Sequence, residues 1–394
     1  MGDVAGRARQ RFPDQLRGLA LLGIVVVNAP FMAIDVDGYT DDSLATTVDR
    51  AAAMLTTLLA EGKFYLIFSF LFGYSATFIV RPGPAVDESG LRRYRRRLIA
   101  LAALGLAHAI FLFLGDILLS YALLGALLML AFGWTDRAVL NLALFSYLLA
   151  ATWLGLLVVG AVVDGSAGAQ SVAPELVELN TAMSEGSFLQ LALARAAALP
   201  TTLLTLASVQ WGFALAAFAL GLVAGRRGYL ADPARHRVLW RRCAVWGLTL
   251  GFAAQALATW LAFTDGAGYA QTTLGLVGLG VGFITAPVLA AGYLGGLALL
   301  HLRWPSLLAP GESAGRASLS VYLGESVVLC VIFCGWGLGW YGQLGAAAVT
   351  AIAAATWGGL ALAAWAWLRF HRRGPLEILM SKWQNGGSVG SSAR

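Results

Sequence analysis

Two titratable side chains, His108 and Glu325, stand inside long apolar stretches. A histidine near its ordinary pKa gives or takes a proton at neutral pH. A carboxylate in an apolar span is costly unless it is paired or protonated. Asn28, in a third apolar stretch, adds an amide that can stabilise an oxyanion or orient a substrate. Together these three suit general-base catalysis on an acceptor hydroxyl or amine. His108 and Glu325 also suit proton transport across a bilayer. Upstream of His108 runs a cationic cluster, Arg92, Arg93, Arg95, Arg96 and Arg97. With Arg17 it has the chemistry that holds phosphate oxygens. Its plainer role is to fix one side of a membrane.

The elements that must carry these groups follow from composition. The chain is 59% hydrophobic and 12% charged, against about 25% charged in a soluble domain. It is therefore expected to be an all-α polytopic bundle, one membrane domain over residues 1–394, with the bilayer as its first partner. Apolar runs predict about ten spanning helices: 16–34, 63–80, 97–114, 116–133, 138–162, 200–224, 243–264, 271–300, 317–340 and 346–369. Residues 16–163 form an N-terminal half and 200–370 a C-terminal half. Residues 49–61 predict a short surface helix, and the loop 164–190 holds another amphipathic stretch. The Gly- and Ser-rich tail, 384–394, reads as disordered.

Lysine and arginine collect on one set of loops, from Arg7 and Arg9 through Arg81, the 92–97 cluster and Arg226 to Arg394. The other set holds Asp35, Asp37, Asp41, Asp42, Glu175 and Glu178. This bias places both termini in the cytoplasm of a multi-pass inner-membrane protein. It also accounts for the net charge of +6 as a topology signal, so no nucleic-acid partner is expected. Cys243, Cys330 and Cys334 fall in apolar spans without metal-ligand spacing. They read as packing residues, and no metal is expected.

Helix rise sets the depth of the polar groups. Counted from the nearest arginine, Asn28 and His108 lie roughly 16 Å in, Glu325 roughly 13 Å, Ser69 roughly 18 Å and Gln255 roughly 20 Å. A shared chamber near the midplane would satisfy all five, whereas the plainer reading ties Ser69 and Gln255 to neighbouring helices. Asp116 follows Gly115 between two apolar runs and reads best as a helix N-cap. On a continuous helix it would be roughly 12 Å from His108, which makes Glu325 or Asn28 the expected partner of the imidazole. Glu61 and Lys63 sit at the outer rim, lining an acceptor entrance or reaching to the interface.

Three stretches carry a resemblance: Arg17-Gly18-Leu19 through Asn28, Glu61-Gly62-Lys63-Phe64 through Ser69 to Tyr74, and Gly315-Arg316-Ala317-Ser318 to Tyr322 with Gly374-Pro375-Leu376-Glu377. The chain resembles the YeiB-like proteins built around domain of unknown function 418. That family is similar to a wider transmembrane acyltransferase superfamily, which includes heparan-glucosaminide acetyltransferase. The resemblance implies transfer of an acyl group, most simply acetyl, from cytoplasmic acyl-CoA to a small-molecule or saccharide acceptor. It points to Asn28, whose counterpart helps form the acetyltransferase site. The histidine that follows the asparagine there is missing here, where Tyr39 stands nearby. The expected catalytic set is thus His108, Asn28 and Glu325. Arg17, Arg92, Arg93, Arg96, Arg97, Lys63, Ser69, Arg316 and Tyr322 are expected to bind substrate or CoA. Acyl-CoA is the expected co-substrate, and a homodimer is an expected assembly. The alternative is a proton-coupled small-molecule transporter using His108 and Glu325.

Overall fold

The computed structural model describes residues 10–80, 87–165, 173–264 and 272–384. Arg7, Arg9, Arg81, Arg394 and the tail beyond residue 384 lie outside the described residues. Within them the chain is helical, with no strand. Its α-helices are α1 Arg11–Ala33, α2 Thr47–Leu59, α3 Phe64–Ala76, α4 Glu88–Phe111, α5 Ile117–Met129, α6 Asp136–Val163, α7 Pro174–Glu185 and α8 Phe188–Leu206. They continue as α9 Gly212–Arg226, α10 Arg237–Phe263, α11 Thr273–Arg303, α12 Ala309–Arg316, α13 Ser318–Phe333, α14 Ala346–Trp367 and α15 Pro375–Gln384.

Every expected span overlaps a helix among the described residues, but the count of ten is not reached by length and polarity. Seven stretches among the described residues are long and apolar enough to cross a membrane, or eight if the bent α12–α13 pair is one span. The reasons are local. The apolar part of α4 begins only after Arg97, and α5 is 13 residues long, short of the roughly 20 that span a bilayer. Helices α2 and α3 form one 30-residue apolar stretch, and α2 packs against α10 and α14. It is therefore part of the bundle, where a short surface helix was expected. Helices α8 and α9 continue through one π-helical turn, Ala207–Trp211.

Polar side chains set the helix starts by accepting otherwise unpaired N–H groups. Thr46 accepts from Asp49 N at 3.1 Å, and Ser187 forms a reciprocal capping box with Gln190. Glu377 of α15 reaches across to cap α13, accepting from Leu319 N at 2.6 Å and Ser320 Oγ at 2.7 Å. Small residues then let helix backbones touch, the usual membrane solution where lipid offers no hydrophobic gain. A Cβ on Gly18 of α1 would sit 1.8 Å from the carbonyl oxygen of Gly311 in α12, and one on Gly315 would sit 1.7 Å from that of Asp14. Helices α3 and α9 touch in the same way at Gly73 and Gly221. The described residues bury three apolar clusters. The site lies where α4, α5 and α13 meet.

Candidate active site

Helix α4 ends just after His108. Leu112 leaves helical geometry at φ −125°, and its N–H and that of Phe113 both bond His108 O, at 2.9 and 2.8 Å. The chain then turns through Gly115 and starts α5 at Asp116. Asp116 Oδ1 caps α5 by accepting from Leu119 N at 2.7 Å. Its other oxygen, Oδ2, lies 2.8 Å from His108 Nδ1. The capping role is as expected, but the separation of Asp116 from His108 is corrected. The roughly 12 Å estimate assumed a straight helix, and the turn folds eight residues back onto one side chain. One carboxylate serves both purposes, one with each oxygen.

The other ring nitrogen, His108 Nε2, lies 2.8 Å from Ser326 Oγ on α13. Where the Asp116 carboxylate acts as an acceptor, Nδ1 carries the proton, and the ring in that tautomer accepts the Ser326 hydroxyl through Nε2. The result is an Asp116–His108–Ser326 chain with the connectivity of a nucleophile, a base and an orienter. All three are buried: His108 is 1%, Asp116 2% and Ser326 5% exposed. Tyr322, one turn before Ser326, accepts from Ile117 N at 3.3 Å, and its hydroxyl lies 3.5 Å from Asp116 Oδ2. It ties α13 to the α4–α5 turn, and its ring packs tilted at 45° against the imidazole, 5.0 Å between centroids.

The expected partners of His108 stand elsewhere. Glu325 is buried beside Ser326, and its Oε1 has no hydrogen-bond partner among the described residues. Asn28 is half-buried on α1, and no hydrogen bond among the described residues engages its amide. The shared chamber does not form. Ser69 Oγ bonds the Tyr121 hydroxyl at 2.7 Å. Gln255 donates to Gly282 O and Thr285 Oγ1, both at 2.8 Å. Both residues tie helices together, the plainer of their two readings. Lys63 is also relocated. It is 1% exposed and donates to Thr57 O at 2.7 Å, so it does not reach out to an interface.

The arginines divide into two sets. Arg92, Arg93 and Arg96 are exposed on the first turns of α4. Arg97 turns inward, donates to Ser75 Oγ at 3.2 Å and lies over the Phe72 ring at 4.8 Å. Arg17, paired with Asp14 at 3.0 Å, lies within electrostatic reach of Arg97. Arg316 donates to Arg372 O at 3.5 Å, and its Nε is buried without a hydrogen-bond partner among the described residues.

Two features escaped the sequence reading. Ser326 was hidden as an ordinary small residue in an apolar helix, although its neighbour Glu325 marked that turn as unusual. The second is Arg195 of α8, 2% exposed. It donates to Phe111 O at 3.0 Å and places Nη2 at 3.3 Å from Met183 Sδ, 3.7 Å from Cys330 Sγ and 3.8 Å from Cys334 Sγ. Cys330 donates to Leu112 O at 3.0 Å. This layer holds the frayed end of α4 one turn beyond the His108–Ser326 contact. It joins a loop network in which the Tyr341 hydroxyl donates to Asn180 Oδ1 and Asn180 Nδ2 donates to Asp35 Oδ2 at 2.7 Å. Burial, with the nearby Asp35 charge as the next cause, holds the Tyr341 hydroxyl well above its usual range. Burial likewise raises Asp37, helped by Asp35.

Fold and site together define an α-helical membrane protein with a buried Asp–His–Ser chain at a broken helix. Residues 224–387 match the family model described as "Protein of unknown function (DUF418)". The chain is 29% identical over 384 residues to "Uncharacterized protein YxaH" of Bacillus subtilis (strain 168), covering 93% of this chain and 92% of the relative. It is 26% identical over 391 residues to "Uncharacterized protein YeiB" of Escherichia coli (strain K12), covering 93% and 94%. Its C-terminal part is thus similar to the DUF418 family, and nearly the whole chain is similar to YxaH and YeiB. No solved structure matches it significantly.

Proposed function

We propose that the chain is an integral membrane acyltransferase that moves an acyl group from acyl-CoA to a hydroxyl or amine acceptor. The observation that carries this reading is the hydrogen-bonded chain from Asp116 through His108 to Ser326. In this reading His108 takes the Ser326 proton as the hydroxyl attacks the thioester carbonyl. A tetrahedral oxyanion forms, and its collapse breaks the carbon–sulfur bond. The CoA thiolate leaves with the proton from His108, and the acyl group stays on Ser326 Oγ. The acceptor hydroxyl or amine then attacks the ester, with His108 again as base, and Ser326 is restored. Asp116 holds the ring in the tautomer that both halves need. Asn28, with its amide unengaged, is the candidate oxyanion donor. Arg17, Arg97 and the exposed Arg92, Arg93 and Arg96 are candidates for the CoA phosphates. No metal enters the reaction.

The test is made on purified full-length protein. Acetyl-CoA is expected to stabilise it thermally and to be cleaved to free CoA. A serine-reactive fluorophosphonate is expected to label Ser326, with labelling lost in Ser326→Ala and His108→Ala. If millimolar acetyl-CoA neither binds nor is cleaved, the reading fails. One observation favours a second reading, a proton-coupled transporter: the buried Glu325 Oε1 without a hydrogen-bond partner among the described residues. Proton-driven uptake into liposomes that is lost in Glu325→Gln, with no cleavage of acetyl-CoA, would establish it instead.

A further inference from the structure

Helix α15 sits where apolar helices begin and stop. It follows the end of α14 at Trp367 by a short turn, and its Glu377 caps the start of α13 at Leu319 and Ser320. One side of it is packed. Met380 is buried, and Trp383 Nε1 donates to Arg96 O at 3.1 Å, which brings the end of α15 against the first turns of α4. Another side faces outward. Leu379 and Trp383, four residues apart and so on one face of the helix, are 59% and 56% exposed. Phe370, in the turn before α15, is 84% exposed.

Cations flank these apolar side chains. Lys382 is exposed next to Trp383. On α4, Arg92, Arg95 and Arg96 stand at i, i+3 and i+4, hence on one face, and all three are exposed. The acids at this end of α4 are Asp87, 3.8 Å from Arg93, and Glu88 in the first turn. Among the described residues no carboxylate forms an ion pair with Arg92, Arg95, Arg96 or Lys382. The corner between α4 and α15 therefore combines uncompensated positive charge with exposed aromatic and aliphatic surface at the ends of membrane helices. That is the composition of the water–lipid boundary, where rings and leucines reach the acyl border and cations meet phosphates. The charge selects an anionic partner. The apolar side chains select one that also carries hydrocarbon, which free phosphate lacks.

We propose that the α4–α15 corner is a docking surface for anionic phospholipid, with Arg92, Arg95, Arg96 and Lys382 on the head-group phosphates and Leu379, Trp383 and Phe370 at the acyl boundary. The inference does not rest on acyl transfer, since Asp116, His108 and Ser326 take no part in it. It gives Arg92 and Arg96 a ligand that is present with or without acyl-CoA.

The experiment uses the full chain, delipidated in detergent, with phosphatidylglycerol and phosphatidylcholine added in turn. Binding is read by native mass spectrometry and thermal melting. Each Lys or Arg near an anionic surface is worth about fivefold in affinity. Phosphatidylglycerol is therefore expected to bind at least about tenfold more tightly than phosphatidylcholine. Replacing all four cations by glutamine (R92Q, R95Q, R96Q and K382Q) is expected to level the two lipids. Without added lipid that variant is expected to melt with the parent, because the four side chains are exposed. Should it fail to fold, Leu379→Glu sets a negative charge on the exposed face of α15 and is expected to weaken phosphatidylglycerol more than phosphatidylcholine. Equal binding of the two lipids to the parent, or a preference that survives these substitutions, would overturn the proposal. Displacement of phosphatidylglycerol by millimolar inorganic phosphate would overturn it as well, by showing a site for free phosphate.

Discussion

The sharpest test of the Asp–His–Ser chain is Asp116→Asn. The substitution keeps an acceptor oxygen for Leu119 N, so α5 keeps its cap. Asparagine is as good an N-cap as aspartate, and the lost charge at the helix start costs only about 0.3–1 kcal/mol. The effect on His108 is different in kind. The carboxylate at 2.8 Å accepts from Nδ1. An amide that uses its oxygen for the cap turns its NH2 toward the ring, and Nδ1 must then accept. The proton moves to Nε2, the nitrogen 2.8 Å from Ser326 Oγ, and the base loses the lone pair that would take the serine proton. The same tautomer error in a serine protease costs about 10⁴ in kcat. A drop of about 10³–10⁴ is therefore expected, or about 4–5.5 kcal/mol of barrier. The assay is release of free CoA from acetyl-CoA, run beside thermal melting on the same sample. A slow enzyme with a near-normal melting temperature is expected. An Asn variant within about threefold of the parent rate would refute the argument, because an orienting carboxylate cannot be dispensable in this chemistry. Asp116→Ala is the control in the other direction: it removes the cap as well and should lose about 1 kcal/mol of stability.

Three further predictions concern the scaffold. Glu377→Ala removes the acceptor for Leu319 N and Ser320 Oγ at the start of α13 and should cost about 1–3 kcal/mol, seen as a lower denaturant midpoint in detergent. Gly18→Ala forces a Cβ to within 1.8 Å of Gly311 O, so α1 and α12 must separate, at a cost of about 1–3 kcal/mol or more; melting at the parent temperature would contradict the close contact. Arg195→Lys keeps the charge but not the fork that reaches Phe111 O and three sulfurs together. Here CoA release is expected to fall together with stability, by about 1–3 kcal/mol, and an unchanged melting curve would show that the fork is unnecessary.

Most of the helices were legible because apolar length is a strong signal and lipid leaves the backbone few alternatives. Depth counted along each helix puts His108, Asn28 and Glu325 within the bundle, where His108 and Glu325 are buried and Asn28 half-buried. Depth does not give partners, because it is one coordinate and contact needs three. Ser69 and Gln255 share that depth but spend their hydrogen bonds on Tyr121, Gly282 and Thr285. Asp116 was correctly read as a cap, and the straight-helix distance then argued it away from His108. The missing information was the break at Leu112, which Gly115 and a capping aspartate hinted at without fixing its angle. Ser326 carried no signal of its own, since a serine in a membrane helix usually bonds its own backbone or a neighbour. The span count falls short because α5 and α13 stop after 13 and 16 residues and the apolar part of α4 starts only after Arg97, ends that hydropathy alone does not mark.

The contact between α1 and α12 also bears on how the protein is made. Gly18 and Gly311 touch backbone to backbone, yet nearly three hundred residues separate them. At the usual pace of synthesis, the first helix waits about 15–60 s for its partner to leave the ribosome. During that time its glycine face lies against lipid or against a helper that is later displaced. Closure of this seam then joins the last-made part of the chain to the first. Chains cut short before α12 would keep most of their spans but leave that seam open.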